Sequence, residues 1–222
     1  MRPQRALVDA VRAHVRESAG ETGRAQLSPR VLAAMEAVPR DFFVPAHLRD
    51  AAWDDTALPI GHGQTISQPF IVALSLDLAE IEPEDTVLEV GTGSGYQSAL
   101  LARLARRVYS LELSAELAAT ARARLSRLGV DNVEVREGDG FLGWPEHAPY
   151  DAIVVAAAPP DVPPALVDQL APGGRLVLPV GADRWSQRLA VVSKDTGGAV
   201  SRRDTIRAAF VPMRSGTAEG AQ

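Results

Sequence analysis

The segment VLEVGTGSGYQ, residues 87–97, places three glycines at alternate positions directly after a short apolar run. Gly91, Gly93 and Gly95 allow the backbone to turn tightly and to approach a ligand where a β-carbon would collide. The order of strand, glycine-rich turn and helix start predicts a nucleotide-type ligand, although a purely structural turn can have the same composition. A dinucleotide-binding pattern needs glycine at the position of Tyr96, so a dinucleotide oxidoreductase is disfavoured.

Three acidic residues stand near the glycine segment or follow the next predicted strands. Glu89 precedes the first glycine by two residues, Glu112 ends the second strand, and Asp139 lies in EGDGF after the third. A strand-end carboxylate such as Glu112 can accept hydrogen bonds from both ribose hydroxyls, and Asp139 is placed to accept one from an adenine amine. Taken singly, Glu112 could be a solvated charge and Asp139 a simple Asp-Gly turn. Their common position at the carboxyl edge of an α/β sheet favours a nucleoside site.

A small polar cluster, QTISQPFIV at residues 64–72, lies just upstream of the glycine segment. Thr65 and Ser67 flank one isoleucine, and Pro69 follows. One interpretation is a helix start, with Ser67 as the capping residue and Pro69 in the first turn. The other is a set of hydroxyls that serves the ligand site.

The composition disfavours several classes of protein and of binding site. The 222 residues are 46% hydrophobic and carry a net charge of -5, so neither a nucleic-acid partner nor a membrane location is expected. The chain has no cysteine, which excludes disulfides and thiolate chemistry. None of its four histidines has metal-ligand spacing with another, and we expect no metal site.

Helical spacing of apolar residues predicts three helices before the glycine segment. The first is an amphipathic surface helix at the N-terminus, which lacks the continuous apolar core of a signal peptide. Its apolar positions are Leu7, Val8, Val11 and Val15. Ser28 and Pro29 begin a second helix that ends near Pro39, and residues 69–81 form a third. Residues 40–63 are expected to be irregular but partly buried.

From residue 86 onward, short β-branched runs alternate with helical stretches. The predicted strands are TVLEV, RVYSLEL, NVEVRE, DAIVVAAA, RLVLPVG, RLAVVSK and AAFVPM, the last two as an antiparallel pair. Of the intervening helices, one begins near residue 96, a second ends at Leu128 and Gly129, and a third covers residues 164–170. A Pro-Gly-Gly turn follows the third helix. This alternation predicts an α/β fold with a doubly wound, mostly parallel sheet.

Several long motifs in fixed order resemble one family. They are AAWDDTALPIGHGQTISQPFIVA, VLEVGTGSGYQSALLA, GDGFLGW, APYDAIVVAAAPPDVP, LAPGGRLVLPVG and FVPM. Over about residues 30 to 213 the chain is similar to bacterial protein-L-isoaspartate O-methyltransferases, which have the Rossmann-like fold of class I S-adenosylmethionine methyltransferases. The resemblance implies an N-terminal helical segment at 1–82 with an active-site loop at about 57–70. A cofactor domain at 83–213 and a disordered tail at 214–222 follow.

The resemblance implies methyl transfer from S-adenosylmethionine to the α-carboxylate of L-isoaspartyl residues in damaged proteins and peptides, leaving S-adenosylhomocysteine. The ester re-forms a succinimide that hydrolyses partly to normal aspartate. A carboxylate of ordinary pKa near 4 needs no general base at neutral pH, so alignment and exclusion of water are the main tasks left to the protein.

Site residues follow from the same resemblance. Ser67 is implied as the active-site residue, a positioning hydroxyl and not a covalent nucleophile. The main-chain pocket is implied in AAAPPDVP and FVPM, and Trp53, Trp144 and Trp185 are expected to pack or to wall a pocket. Cofactor contacts are implied at Gln64, Thr65, Ile66, Ser67, Glu89, Gly91, Thr92, Gly93, Gly95, Glu112, Leu113, Asp139 and Gly140.

Two alternatives stay open. A relative could methylate the aspartate of one dedicated biosynthetic peptide, although such enzymes usually carry extra segments. A non-catalytic cofactor-binding subunit would show a damaged glycine loop or a lost hydroxyl cluster, and both are intact here. We expect a cytoplasmic monomer that acts on isoaspartyl proteins and peptides.

Overall fold

The computed structural model describes residues 3–183 and 185–216. A seven-stranded sheet has the strand order β5-β4-β3-β6-β7-β8-β9, and a separate hairpin pairs β1 with β2. The hairpin strands are β1 (Leu58–Gly61) and β2 (Gln64–Ile66). The sheet comprises β3 (Thr86–Val90), β4 (Arg107–Glu112), β5 (Val133–Glu137), β6 (Tyr150–Val155), β7 (Leu170–Val180), β8 (Arg188–Lys194) and β9 (Val200–Arg207).

Seven α-helices are present in the described part of the chain. They are α1 (Pro3–Glu17), α2 (Ala19–Thr22), α3 (Pro29–Ala37), α4 (Pro69–Leu78), α5 (Tyr96–Leu101), α6 (Ala115–Arg127) and α7 (Pro164–Asp168). Local sequence explains two of the starts: Ser28 and Ser114 each accept a backbone N–H of the first turn, at 3.3 Å in both cases. Short 3₁₀ helices lie at Arg40–Phe43, Ala46–Leu48, Ala51–Trp53 and Pro145–His147.

The topology places a ligand crevice at the centre of the sheet. Strands β5, β4, β3, β6 and β7 are parallel, and β8 and β9 continue the sheet antiparallel. The strand order reverses at β3, whose neighbours are β4 on one side and β6 on the other. In open α/β sheets the crevice at such a reversal, beyond the carboxyl ends of the strands, is where ligands bind. The predicted doubly wound, mostly parallel sheet is therefore confirmed.

Apolar side chains fill both faces of the sheet. Along β3, Val87 belongs to the core on one face, whereas Leu88 and Val90 belong to the core on the other. The first of these cores also takes in the N-terminal segment, because α4 is buried along its whole length between the sheet and helices α1 and α3. The predicted apolar stripe of α1 is buried there as well.

The sequence misplaced three elements. Part of the stretch expected to be irregular forms the β1–β2 hairpin, which pairs Leu58 with Ile66. AAFVPM is not a strand: β9 precedes it at Val200–Arg207, and only one isolated bridge joins Pro212 to Ala158. The predicted Pro-Gly-Gly turn is the beginning of β7, where the pairing with β6 shifts register.

Ser67 does not cap α4. The N-cap residue is Gln68, whose side chain makes no capping hydrogen bond. Asp55 performs this task from a distant part of the chain: its Oδ1 accepts the Phe70 N–H at 2.8 Å, and its Oδ2 accepts the Gln68 side-chain amide at 3.1 Å. His14 of α1 lies 3.0 Å from the same Oδ2 and stacks on the Phe70 ring. The helix start is thus fixed by tertiary contacts that join α1 to α4.

No helix within residues 3–183 and 185–216 is both long and apolar enough to cross a membrane. Of the tail expected to be disordered, residues 217–222 lie outside the described part of the chain. Ser215 and Gly216 are described and donate hydrogen bonds to Asp139. The division into segments 1–82, 83–213 and 214–222 stays a prediction.

The capping contact gives a stability prediction. Asp55→Ala is expected to lower the free energy of unfolding by about 1–2 kcal/mol, because Phe70 N–H loses its acceptor. Asp55→Asn keeps an oxygen at this position and should lose less. Ser67→Ala should change the same quantity by less than about 0.5 kcal/mol. Urea denaturation followed by circular dichroism measures all three, and an equal loss in Ser67→Ala and Asp55→Ala would show that Ser67 caps the helix.

Candidate active site

A cavity opens at the carboxyl ends of β3, β4 and β6, at the reversal in strand order. The segment after β2 and residues 211–214 after β9 complete its walls. Most of the residues expected to contact the cofactor line it. They are Gln64, Thr65, Ile66, Ser67, Gly91, Thr92, Gly93, Glu112, Leu113 and Gly140. Glu89, Gly95 and Asp139 are not among the lining residues.

The glycine segment has the backbone geometry that its composition predicts. Gly91, Gly93 and Gly95 have φ values of 91°, 52° and 89°, in the left-handed region that a side chain disfavours. Gly95 is the N-cap residue of α5, and a β-carbon there would lie 3.4 Å from the Ala121 side chain of α6. Gly95 therefore serves helix packing behind the loop, while Gly91 and Gly93 face the cavity.

Glu112 is the last residue of β4, and its carboxylate binds the glycine loop by a hydrogen bond. Its Oε2 accepts the Gly93 N–H at 2.8 Å and its Oε1 accepts the Ser114 N–H at 3.0 Å. The side chain is nearly buried but lines the cavity. An ionised carboxylate has about four acceptor positions, so two remain for donors of a ligand. Two vicinal hydroxyls could occupy these positions, and the contact with ribose stays a prediction.

Glu89 lies beneath the loop and is fully buried. It accepts hydrogen bonds from Ser110 of β4 at 2.6 Å, from the Gln97 amide at 3.1 Å and from the Ser98 hydroxyl. Burial raises the pKa of Glu89 to about 7, and the three hydrogen bonds oppose this rise. Glu89 joins β3, β4 and α5 under the cavity, so its role in this structure is to hold the loop.

The Asp139 carboxylate accepts hydrogen bonds from other residues of the chain. Its Oδ1 accepts the Phe141 N–H at 2.8 Å, which is the Asp-Gly turn considered above. Its Oδ2 accepts the Ser215 hydroxyl at 2.6 Å and the Gly216 N–H at 3.0 Å. The contact with an adenine amine stays a prediction. These bonds attach the end of the described chain to the rim of the cavity.

Ser67 lies directly after β2, and a deeply buried arginine holds its backbone. The Arg40 guanidinium donates to Ser67 O at 3.2 Å and to the carbonyls of Ala52, Asp54 and Thr56 at 2.8, 3.3 and 2.7 Å. The Ser67 side chain is half-buried at the cavity wall. This brings the hydroxyl predicted for positioning to the same cavity as the glycine loop. His62, in contrast, lies at the hairpin tip and pairs with Glu116.

Two groups of lining residues received no individual assignment from the sequence. Ala156 and Ala157 follow β6 at the carboxyl edge, so the position rule for α/β sheets could have identified them. Val211–Arg214 return to the cavity after β9, held by Ala158 through hydrogen bonds of 2.9 Å to Val211 O and 2.8 Å from Met213 N. No local periodicity in the sequence predicts that this segment lies at the cavity. Gly140 packs beside this segment, because a β-carbon there would lie 2.8 Å from Met213 and 2.3 Å from Val90.

The cavity is suited to binding and alignment. Within the described residues there is no group of three or more His, Cys, Asp or Glu side chains that could hold a metal ion. The polar groups that line the cavity include the Ser67 hydroxyl, the Glu112 carboxylate, the Arg214 guanidinium and the backbone of the glycine loop.

Comparison with known proteins agrees with this geometry. The family model described as protein-L-isoaspartate(D-aspartate) O-methyltransferase matches residues 17–218. The chain is 55% identical over 207 residues to protein-L-isoaspartate O-methyltransferase 2 of Polaromonas sp. strain JS666, which covers 93% of this chain and 98% of the relative. It is 51% identical over 210 residues to the protein of the same name from Syntrophobacter fumaroxidans, covering 95% and 85%.

Solved structures show the same fold. A protein-L-isoaspartate O-methyltransferase superposes with a TM-score of 0.79 at 26% identity, covering 96% of this chain and 66% of that one. A Plasmodium falciparum protein, described as a putative member and solved in complex with S-adenosyl-L-homocysteine, superposes at 0.78 with 24% identity, covering 95% and 97%. The expected class I methyltransferase fold is confirmed. The chain belongs to the protein-L-isoaspartate(D-aspartate) O-methyltransferase family.

Proposed function

We propose that this protein transfers a methyl group from S-adenosylmethionine to the α-carboxylate of L-isoaspartyl residues in damaged proteins and peptides, which starts their repair through a succinimide. The observation that carries the proposal is the meeting of Ser67, Glu112 and the glycine loop at one cavity in a chain of this family. The glycine loop and the hydroxyl cluster are both intact, which favours an enzyme over a non-catalytic subunit.

The cavity residues fit S-adenosylmethionine. Glu112 has acceptor positions for the ribose hydroxyls, and Ile66, Val72 and Leu111 offer apolar walls. Gly140 leaves the space that Val90 and Met213 fill, so the floor of the cavity is closed by apolar atoms. When bound, S-adenosylmethionine supplies an electrophilic methyl group on a cationic sulfur.

Ser67 orients the reacting carboxylate by donating a hydrogen bond from its hydroxyl. The substrate carboxylate is already an anion at neutral pH, so the site needs no base to activate it. Arg40 fixes the Ser67 backbone at 3.2 Å, and the buried carboxylate of Glu89 fixes the facing loop. Rigid placement of this kind is the main source of rate in a reaction that depends on alignment.

Repair of many proteins, without a dedicated partner, is the biological role that we infer. We propose a cytoplasmic protein, and its net charge of -5 supports one that does not bind nucleic acid. We further propose that it works as a monomer, because one chain supplies the glycine loop, Glu112 and Ser67 to a single cavity.

Glu112 gives the first test. Glu112→Ala removes the acceptors for the ribose and the fastening of Gly93, so the affinity for S-adenosylmethionine should fall at least about tenfold. Glu134→Ala, which removes an exposed carboxylate from β5, is the matched control and should leave the affinity unchanged. Calorimetry measures both. Unchanged affinity in Glu112→Ala would rule out the ribose assignment.

Ser67 gives the second test. Ser67→Ala should lower kcat by on the order of tenfold to a thousandfold, as expected for one preorganised donor. The free energy of unfolding should stay near its wild-type value. Steady-state kinetics with an isoaspartyl peptide measure the change, and wild-type kcat in this variant would exclude a positioning role for the hydroxyl.

A peptide panel tests the repair role. The isoaspartyl linkage places its free carboxylate one methylene nearer the main chain than the side-chain carboxylate of aspartate, and a misplacement of about 1 Å can cost ~100-fold in rate. We expect esters from several unrelated isoaspartyl peptides and almost none from the matched aspartyl peptides. The measurement is transfer of labelled methyl groups by the recombinant protein alone. Equal reaction of the aspartyl peptides, or reaction of a single dedicated peptide, would contradict the proposal.

A further inference from the structure

Trp185 is the most exposed of the large apolar side chains in the described part of the chain. It is 81% exposed, compared with 65% for Leu142 and 51% for Val200. The sequence led us to expect packing or a pocket wall for the tryptophans, and Trp144, which is 2% exposed, fits that expectation. Trp185 does not, because most of its surface faces solvent.

The strand directions place Trp185 at the active-site edge of the sheet. β7 runs parallel to β6, and β8 returns antiparallel, so the connection at residues 181–187 lies at the carboxyl end of β7. This is the edge at which the cavity opens. Val200 begins β9, which runs antiparallel to β8, and therefore lies at the opposite edge.

Hydrogen bonds attach both ends of this connection to segments that form the cavity. Gly181 N–H donates to Pro159 O at 3.1 Å, just after the lining residues Ala156 and Ala157. At the other end, Gln187 accepts from Phe210 N at 2.6 Å and donates to Phe210 O at 3.3 Å. Phe210 directly precedes the lining segment Val211–Arg214.

The turn that carries Trp185 is organised by Asp183. Its Oδ1 accepts the N–H groups of Trp185 at 2.9 Å and Ser186 at 3.0 Å, and the Ser186 hydroxyl donates to Asp183 O at 3.0 Å. These hydrogen bonds hold the pKa of the Asp183 carboxyl below its ordinary value. The indole is thus presented outward by a turn with defined hydrogen bonds.

We propose that Trp185 is a substrate-binding residue that packs against the peptide flanking the isoaspartyl residue. An indole offers a rigid apolar face, and such a face accepts side chains of many kinds at little conformational cost. An enzyme that repairs unrelated flexible sequences must bind flanking residues of any kind. Its catalytic site must recognise only the misplaced carboxylate. The inference rests on the proposed function and adds the element that binds the flanking chain.

The test compares substrates with and without flanking residues. For isoaspartyl peptides of six to eight residues (about 20 Å when extended), Trp185→Ala should raise KM about three- to tenfold while kcat stays within about twofold. Trp185→Phe should restore most of the wild-type KM. A single isoaspartyl residue, acetylated on its amine and amidated on its side-chain carbonyl, should have the same KM with wild type and with Trp185→Ala.

Controls separate this contact from a general disturbance. Val200→Ser removes an exposed apolar side chain from the far edge and should leave every KM unchanged, and the affinity of Trp185→Ala for S-adenosylmethionine should equal that of the wild type. Unchanged KM for the long peptides in Trp185→Ala, or an equal rise for the single residue, overturns the inference. Wild-type protein that binds the long peptides through Trp185 but forms no ester supports the contact and refutes the proposed reaction.

Discussion

The buried guanidinium of Arg40 is the interaction on which the active-site loop depends. Its side chain is fully buried, and its acceptors are four backbone carbonyls instead of a carboxylate. Burial lowers the pKa of Arg40, and the nearby Tyr96, Asp55 and Asp54 oppose that shift. An arginine side chain is in effect always protonated in proteins. A buried charge without such partners would be very costly, which makes the geometry of the four carbonyls obligatory. Between Arg40 and Ser67 the chain forms only short 3₁₀ helices and the β1–β2 hairpin, and the Arg40 hydrogen bonds join these short elements to one another.

Two further contacts fix the site from other directions. Asp55 joins α1 to the first turn of α4 next to Ser67, and Glu89 joins β3, β4 and α5 below the glycine loop. Each is a polar side chain that is largely or wholly buried and accepts several hydrogen bonds. Together with Arg40 they leave the reacting groups little freedom to move. A methyl transfer that needs no acid or base gains its rate from such fixed placement.

The sequence predicted the sheet and the glycine loop well because both depend on local patterns. Alternation of apolar runs and helices, with glycines at 91, 93 and 95, requires no knowledge of distant contacts. The failures have a common cause in long-range contacts. Asp55 replaces Ser67 as the cap of α4, and Val211–Arg214 reach the cavity through Ala158 although they form no strand of the sheet. No local periodicity predicts either arrangement, and only the family motif FVPM indicated a pocket at the second. Glu89 was found through its motif, but only the structure shows that it supports the loop from below.

The residues that line the cavity determine when, during synthesis of the chain, the cavity can form. The residues that line it extend from Gln64 to Arg214 in the 222-residue sequence. β3 pairs with β6 across more than sixty intervening residues, as in Val87 with Ala152. The N-terminal segment also contacts a part of the chain that is synthesised late, because Thr22 O accepts a hydrogen bond from Arg203 of β9. Non-local pairings of this kind form slowly and cannot form before both partners exist. During synthesis the glycine loop leaves the ribosome long before Val211–Arg214 can close the site. A nascent chain therefore carries the motif without the cavity, and the cavity can form only after Val211–Arg214 have been synthesised.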